Sequence, residues 1–188
     1  MLQTKAITFN RFRKFDEAEL FNGVYIVVLH ACRIPPHVGI IADKHYHSLT
    51  IKGQDYNVPI QALIRNIDQR KISSLFIKIK PHTTFSYSYL REHFILNVQQ
   101  FPRVDRNTAT CLSPIKLFFE EIYDVSMKDV HFLFELLPRL EAEKLIEHYS
   151  ALFVDEQAYQ LPVYTQDQLD DEIEIARSEV QRLHESIK

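Results

Sequence analysis

Two residues in this sequence have both the type and the setting for nucleophilic chemistry. Cys111 ends the polar stretch RVDRNTATC, with Thr108 and Thr110 before it and Ser113-Pro114 after it. Ser-Pro is a helix-start signal, so whether Thr110 or Ser113 is the cap, the thiol falls within a turn of a helix N-terminus. Unpaired N–H groups and the helix dipole favour a thiolate there. The same N–H groups would hold the oxyanion of a tetrahedral intermediate. His37, in PPHVGII, opens a strand behind the rigid Pro35-Pro36 pair, with the small Gly39 two positions on. A neutral imidazole accepts a thiol proton and returns it to the leaving group. Each residue also has a plainer reading: free cysteines often pack cores, and a lone histidine is usually a hydrogen-bonded structural residue.

A third polar group must fix the imidazole tautomer, and the register of the hairpin after His37 decides which one can. If Asp43-Lys44 is a two-residue turn, Ala42 pairs with His45 and the His37 face also carries Gly39, Ile41, Tyr46, Ser48 and Thr50, so Ser48 is the orienter. If the loop is Asp43 to His45, Ala42 pairs with Tyr46 and His47 takes that place. The sequence leaves both open. A rival constellation makes His30, Cys32, His37, His45 and His47 zinc ligands on two strands, although their spacings match no usual paired-ligand motif. The acidic pairs Glu120-Glu121 and Asp170-Asp171-Glu172 read as solvated helix faces. The aromatics Phe118, Phe119, Phe132 and Phe134 read as core.

The elements that must position these groups follow from periodicity. Residues 1–22 form an ordered lead-in with Phe9, Phe12, Phe15 and Leu20 as apolar anchors. VYIVVLHAC after Gly23 reads as a buried strand, His37 to Ala42 and HYHSLTI as a hairpin. Pro59 to Arg70 carries Ile60, Leu63, Ile64 and Ile67 at helical spacing. SLFIKIK is a half-exposed strand ending at Pro81. Tyr87 to Gln100 and PIKLFFEEIY are helices, the second bearing Cys111 at its start. Ser126 caps a further helix over MKDVHFLFELL, and Pro138 separates it from a helical RLEAEKLIEHYSALF. From Thr165 onward, Leu169, Ile173, Ala176, Val180 and Leu183 lie near heptad spacing, which predicts pairing with a partner helix or a second copy of the chain.

Composition narrows the function classes. The chain has 188 residues, 46% hydrophobic and 25% charged, enough for one domain of about 100 to 150 residues with an appendage. The net charge of -3 and dispersed cations offer no field for nucleic acid. With 3 glycines there is no Gly-rich phosphate cradle, and no cofactor is expected. No apolar run reaches the roughly 20 residues of a membrane span, and the first ten residues carry no secretory core, so a cytoplasmic location is expected. Cys32 and Cys111 are expected to be free thiols.

The order of a strand-borne HVGI at 37–40, its hairpin partner, a later FIKIK strand and then TCLSPIKLFFEEIY resembles the circularly permuted NlpC-like branch of the papain-fold cysteine enzymes. That branch includes lecithin:retinol acyltransferase-like proteins and bacterial relatives. The resemblance covers roughly residues 24–125. It implies His37 as base, Cys111 as nucleophile, and His47 or Ser48 as the third residue. YNVPIQALIR is similar to the short helix those proteins place after the hairpin. The hairpin is tighter than is usual in that branch, and Leu-Ser-Pro follows the cysteine where an acidic or aromatic context is commoner.

The expected architecture is α+β, a papain-like antiparallel sheet with a cysteine-bearing helix over 1–125, a helical annex over 126–164 and a charged amphipathic tail over 165–188. The expected activity is hydrolysis or acyl transfer at an amide or ester bond, a peptide-like amide first, through a thioester on Cys111. The resemblance makes cell-wall-type peptides or lipid esters the candidate substrates. The other reading is a non-catalytic interaction protein that binds a partner through its tail.

Overall fold

The computed structural model describes residues 9, 11–106 and 108–185. Residues 1–8 and 10 of the expected lead-in, and 186–188 of the tail, lie outside them. Six strands form one antiparallel sheet in the order β4-β3-β2-β1-β5-β6: β1 Val24–Leu29, β2 His37–Ala42, β3 His45–Leu49, β4 Gln54–Pro59, β5 Ser74–Ile79 and β6 Ile146–Leu152. Five α-helices accompany it among the described residues: α1 Ile60–Arg70, α2 Tyr87–Gln99, α3 Ser113–Tyr123, α4 Leu133–Ala142 and α5 Gln166–Glu185. The α+β expectation holds at this level.

The central β1 explains its own sequence. It pairs with β2 on one side and β5 on the other and is buried along its whole length, so VYIVVL has no polar face to alternate. One face of the sheet, with Ile26, Val38 and Ile40, packs against Phe94 of α2, Phe118 of α3 and Leu136 of α4. The other, with Val27, Ile41 and Tyr46, is covered by Ile60, Leu63 and Ile67 of α1. Helices therefore lie on both faces, each supplying its apolar stripe.

Several expectations are corrected. The segment read as a helix after Pro138 contains β6, which pairs with β5 and extends the sheet. Helix α4 stops because Lys144 takes a left-handed conformation with φ 56°, while the Leu145 N–H donates to Leu140 O at 2.9 Å, a Schellman closure made without glycine. Residues 126–164 are therefore no helical annex: α4 shares the sheet's main core and β6 its hydrogen bonding. Ser126 caps nothing; α4 begins at Leu133, where the Glu135 carboxylate accepts the Phe132 N–H at 3.1 Å, half of a capping box. Pro138 lies inside α4 rather than between two helices. β5 is mostly buried, not half-exposed, and Lys78 reaches out over Tyr25 to Glu147. β4 was not expected, and it precedes α1 directly. Glu120 and Glu121 are engaged: Glu120 accepts the Met127 N–H, and Glu121 joins His93 and Asn97 of α2 to α3.

Helix α5 departs most from expectation. Thr165 and Gln168 close a capping box at its start, with Thr165 N to Gln168 Oε1 at 2.9 Å and Gln168 N to Thr165 Oγ1 at 3.3 Å. Leu169 and Ile173 are buried in the chain's own core, so the first half of the stripe expected to face a partner helix faces inward, while Leu183 at its far end is exposed. Ion pairs Arg106–Asp170 at 3.4 Å and Arg177–Asp105 at 3.1 Å fasten α5 to the loop that precedes Cys111.

No described helix is long and apolar enough to cross a membrane.

Candidate active site

The hairpin settles which side chains accompany His37. Asp43 and Lys44 both have positive φ, 45° and 69°, as a two-residue type I′ turn requires. Ala42 then pairs with His45, Ile41 with Tyr46, Ile40 with His47 and Gly39 with Ser48. Strand alternation follows: His37, Gly39 and Ile41 share a face with Tyr46 and Ser48, while His47 goes to the other face. His47 is therefore no orienter of His37. It is 0% exposed, its ring lies edge-on to Phe94, its Nδ1 accepts the Asn57 N–H at 3.2 Å, and its Nε2 has no partner. Burial pushes its pKa down to about 3, with His45 and Arg91 acting in the same direction.

Gly39 is required by this arrangement. A Cβ there would stand 2.5 Å from His47 O and 2.5 Å from the Tyr46 ring. The phenol ring lies against the glycine, next to Ser48.

Cys111 arrives from the opposite direction. Its loop is held to the hairpin end, with the Val104 N–H donating to Thr50 O at 2.8 Å and Gln54 Nε2 to Phe101 O at 2.6 Å. Local hydroxyls shape the turn: Thr110 Oγ1 accepts the Leu112 N–H at 3.2 Å, and Ser113 Oγ accepts the Thr110 N–H at 3.0 Å. Leu112 occupies the cap position of α3, so Cys111 lies just before the helix. The thiol meets backbone N–H groups of Val38, Cys111 and Leu112, and these favour its anion. Burial is the larger effect and pushes the thiol up, against the lowered value expected from helix position alone.

His37 and Cys111 open on one cavity of about 900 Å³, which Tyr46, Ser48 and Asp55 also line. Leu63 of α1 and Ile173, Ala176 and Val180 of α5 give it apolar lining, and Glu172 and Glu179 of α5 also line it. Tyr46 Oη and Ser48 Oγ are buried neighbours, close enough for Ser48 to act on the phenol, yet neither makes a hydrogen bond of normal geometry. Burial raises the Tyr46 phenol, with the nearby Cys111 and Asp55 adding and Ser48 offsetting part. Burial pushes His37 down to about 4, and His30 acts in the same direction. His37 is thus held toward its neutral form and the Cys111 thiol toward its protonated form, and among the described residues no hydrogen bond or ion pair joins the two. Ser48 shares the His37 face, yet no hydrogen bond from it to His37 is formed.

The zinc constellation is not assembled: among the described residues no three of His, Cys, Asp and Glu are placed to hold a metal ion. Cys32 is exposed and Cys111 half-buried, both as free thiols. Sequence reasoning put Tyr46 on the His37 face in one register but gave it no role, although Gly39, diagonal to it across the hairpin, is what leaves room for its ring; it missed α5 as a wall of the cavity. No family model, curated protein or solved structure matches this chain.

Proposed function

We propose that this protein is a cysteine-dependent hydrolase or acyltransferase on a permuted papain-like scaffold, acting on an amide or ester bond, with a peptide-like amide the leading case. The observation that carries the reading is that Cys111 and His37 line one cavity, with the backbone N–H groups of Val38, Cys111 and Leu112 favouring the thiolate. In this scheme His37 takes the proton from Cys111 Sγ as sulfur attacks the carbonyl carbon. The N–H groups at Cys111 receive the oxyanion. The C–N or C–O bond then breaks, the leaving group takes the proton from His37, and water or another nucleophile resolves the thioester. Tyr46 Oη and Ser48 Oγ, unpaired and facing the same cavity, supply polar contacts to a bound acyl group.

A non-catalytic binding protein is the second reading, favoured by one observation: the pair is held neutral, with His37 down to about 4 and the thiol raised. The two readings separate with p-nitrophenyl acetate in a Cys32→Ser background. Release of p-nitrophenol with an acetyl adduct on Cys111, lost in Cys111→Ala and strongly slowed in His37→Ala, supports the enzyme. A folded chain that leaves Cys111 unacylated supports the binding protein.

A further inference from the structure

A second concavity, of about 430 Å³, is lined by His30, Arg33, Arg70, Lys71, Ile72 and Ser73. Its cations come from separate elements: Arg33 from the connection between β1 and β2, Arg70 and Lys71 from the end of α1. No carboxylate lines it. Among the described residues, neither arginine enters an ion pair, while Lys71 lies 4.6 Å from the centroid of the Phe153 ring. Arg70 suits the carbonyl end of α1, but that role does not account for Arg33 brought to the same pocket from another element. Both arginines bear on His30, disfavouring its charged form in addition to burial. Like charges gathered without a counter-charge form a recognition surface for an anion, and guanidinium groups match carboxylate and phosphate oxygens two at a time.

The pocket adjoins the Cys111 cavity: His30, Arg33, Arg70 and Ile72 line both. The carboxylates of the larger cavity, Asp55, Glu172 and Glu179, lie on β4 and α5. The cleft therefore has a cationic end and an acidic side.

We propose that this pocket is an anion-recognition subsite that takes the carboxylate or phosphate group of a ligand extending along the cleft. Anion binding stands on the pocket alone. Its role in choosing substrates, namely amides or esters that carry an anionic group away from the acyl carbon, rests on the proposed thiol chemistry.

The test is a titration of the intact chain with inorganic phosphate at constant ionic strength, followed through the imidazole resonances by NMR. Separate titrations with phenyl phosphate and N-acetylglycine distinguish a phosphate from a carboxylate ligand. The expected result is a saturable shift at His30 with none at His131, and binding at least tenfold weaker in Arg33→Gln and Arg70→Gln, each with native shift dispersion. Non-saturating shifts, equal at the two histidines or unchanged in the variants, would overturn the subsite. Acylation of Cys111 by p-nitrophenyl acetate in the same samples keeps the two ideas apart. Saturable phosphate binding without acylation supports the subsite and removes the enzyme reading, whereas acylation without phosphate binding does the reverse.

Discussion

His47 provides the sharpest separation between a structural and a chemical histidine. It is wholly buried, with one ring nitrogen unpartnered, and its pKa is pushed from 6.5 down to about 3. The unfolded chain therefore binds a proton at mildly acidic pH that the folded chain refuses. This contribution is fully present above pH 6.5 and is lost as pH falls from there toward 3, at about 1.4 kcal/mol per pH unit. Between pH 7 and pH 5 the loss attributable to this one imidazole is about 2 kcal/mol. His37 adds a similar trend, so the wild type alone cannot assign the effect. His47→Leu can: the variant removes the titrating group and keeps an apolar side chain against Phe94. Urea unfolding at pH 7 and pH 5 should show a stability drop about 2 kcal/mol smaller in the variant than in the wild type. Equal drops would show that His47 is solvated or protonated in the native state, and the face assignment of the hairpin would lose its energetic support.

Other predictions concern the cavity. Alkylation of Cys111 by iodoacetamide should rise with pH along a curve displaced above the ordinary thiol midpoint of about 8.5, with the exposed Cys32 reacting faster at pH 7; peptide mass spectrometry reads both, and a Cys111 midpoint below that of Cys32 would refute the burial argument. Gly39→Ala should cost about 1 to 3 kcal/mol by overpacking against His47 O and Tyr46, lowering Tm by roughly 2 to 12 °C; an unchanged Tm in calorimetry would mean that the hairpin can open at no cost. Ile173→Ala should lose about 2 to 5 kcal/mol by large-to-small truncation and speed Cys111 alkylation; chemical denaturation and the same mass assay check both, and an unaltered alkylation rate would detach α5 from access to the thiol.

Much of the fold was legible because hydrophobic period carried it. The strands at β1, β2 and β3 and the helices at α1, α2 and α3 each announce a stripe or a run that the sheet and its two helical layers bury. What stayed hidden was set by single backbone conformations. Left-handed residues at Lys71, Lys144 and Asp124 end α1, α4 and α3, and none is the glycine that usually marks such a stop. β6 was therefore read as a continuing helix. The Asp43-Lys44 turn likewise lacks an Asn-Gly or Asp-Gly pair, so one unmarked turn left His47 and Ser48 equally eligible until its register was known.

The location of Cys111 and His37 and their ionisation pull in different directions, and the reason is physical. A thiol near a helix start gains from a few oriented N–H groups, but those gains act on the thiolate only, and desolvation acts on it more strongly when α5 and the sheet close around the site. The same enclosure drives His37 toward neutrality, so burial disfavours the charged form of both residues. Enclosure also leaves the Tyr46 and Ser48 hydroxyls unpaired on the cavity wall, groups whose hydrogen bonds a polar ligand would complete. In the proposed scheme, proton transfer from Cys111 to His37 would be coupled to occupancy: a carbonyl seated against those hydroxyls and the Cys111 N–H would supply the charge stabilisation that the unoccupied site lacks.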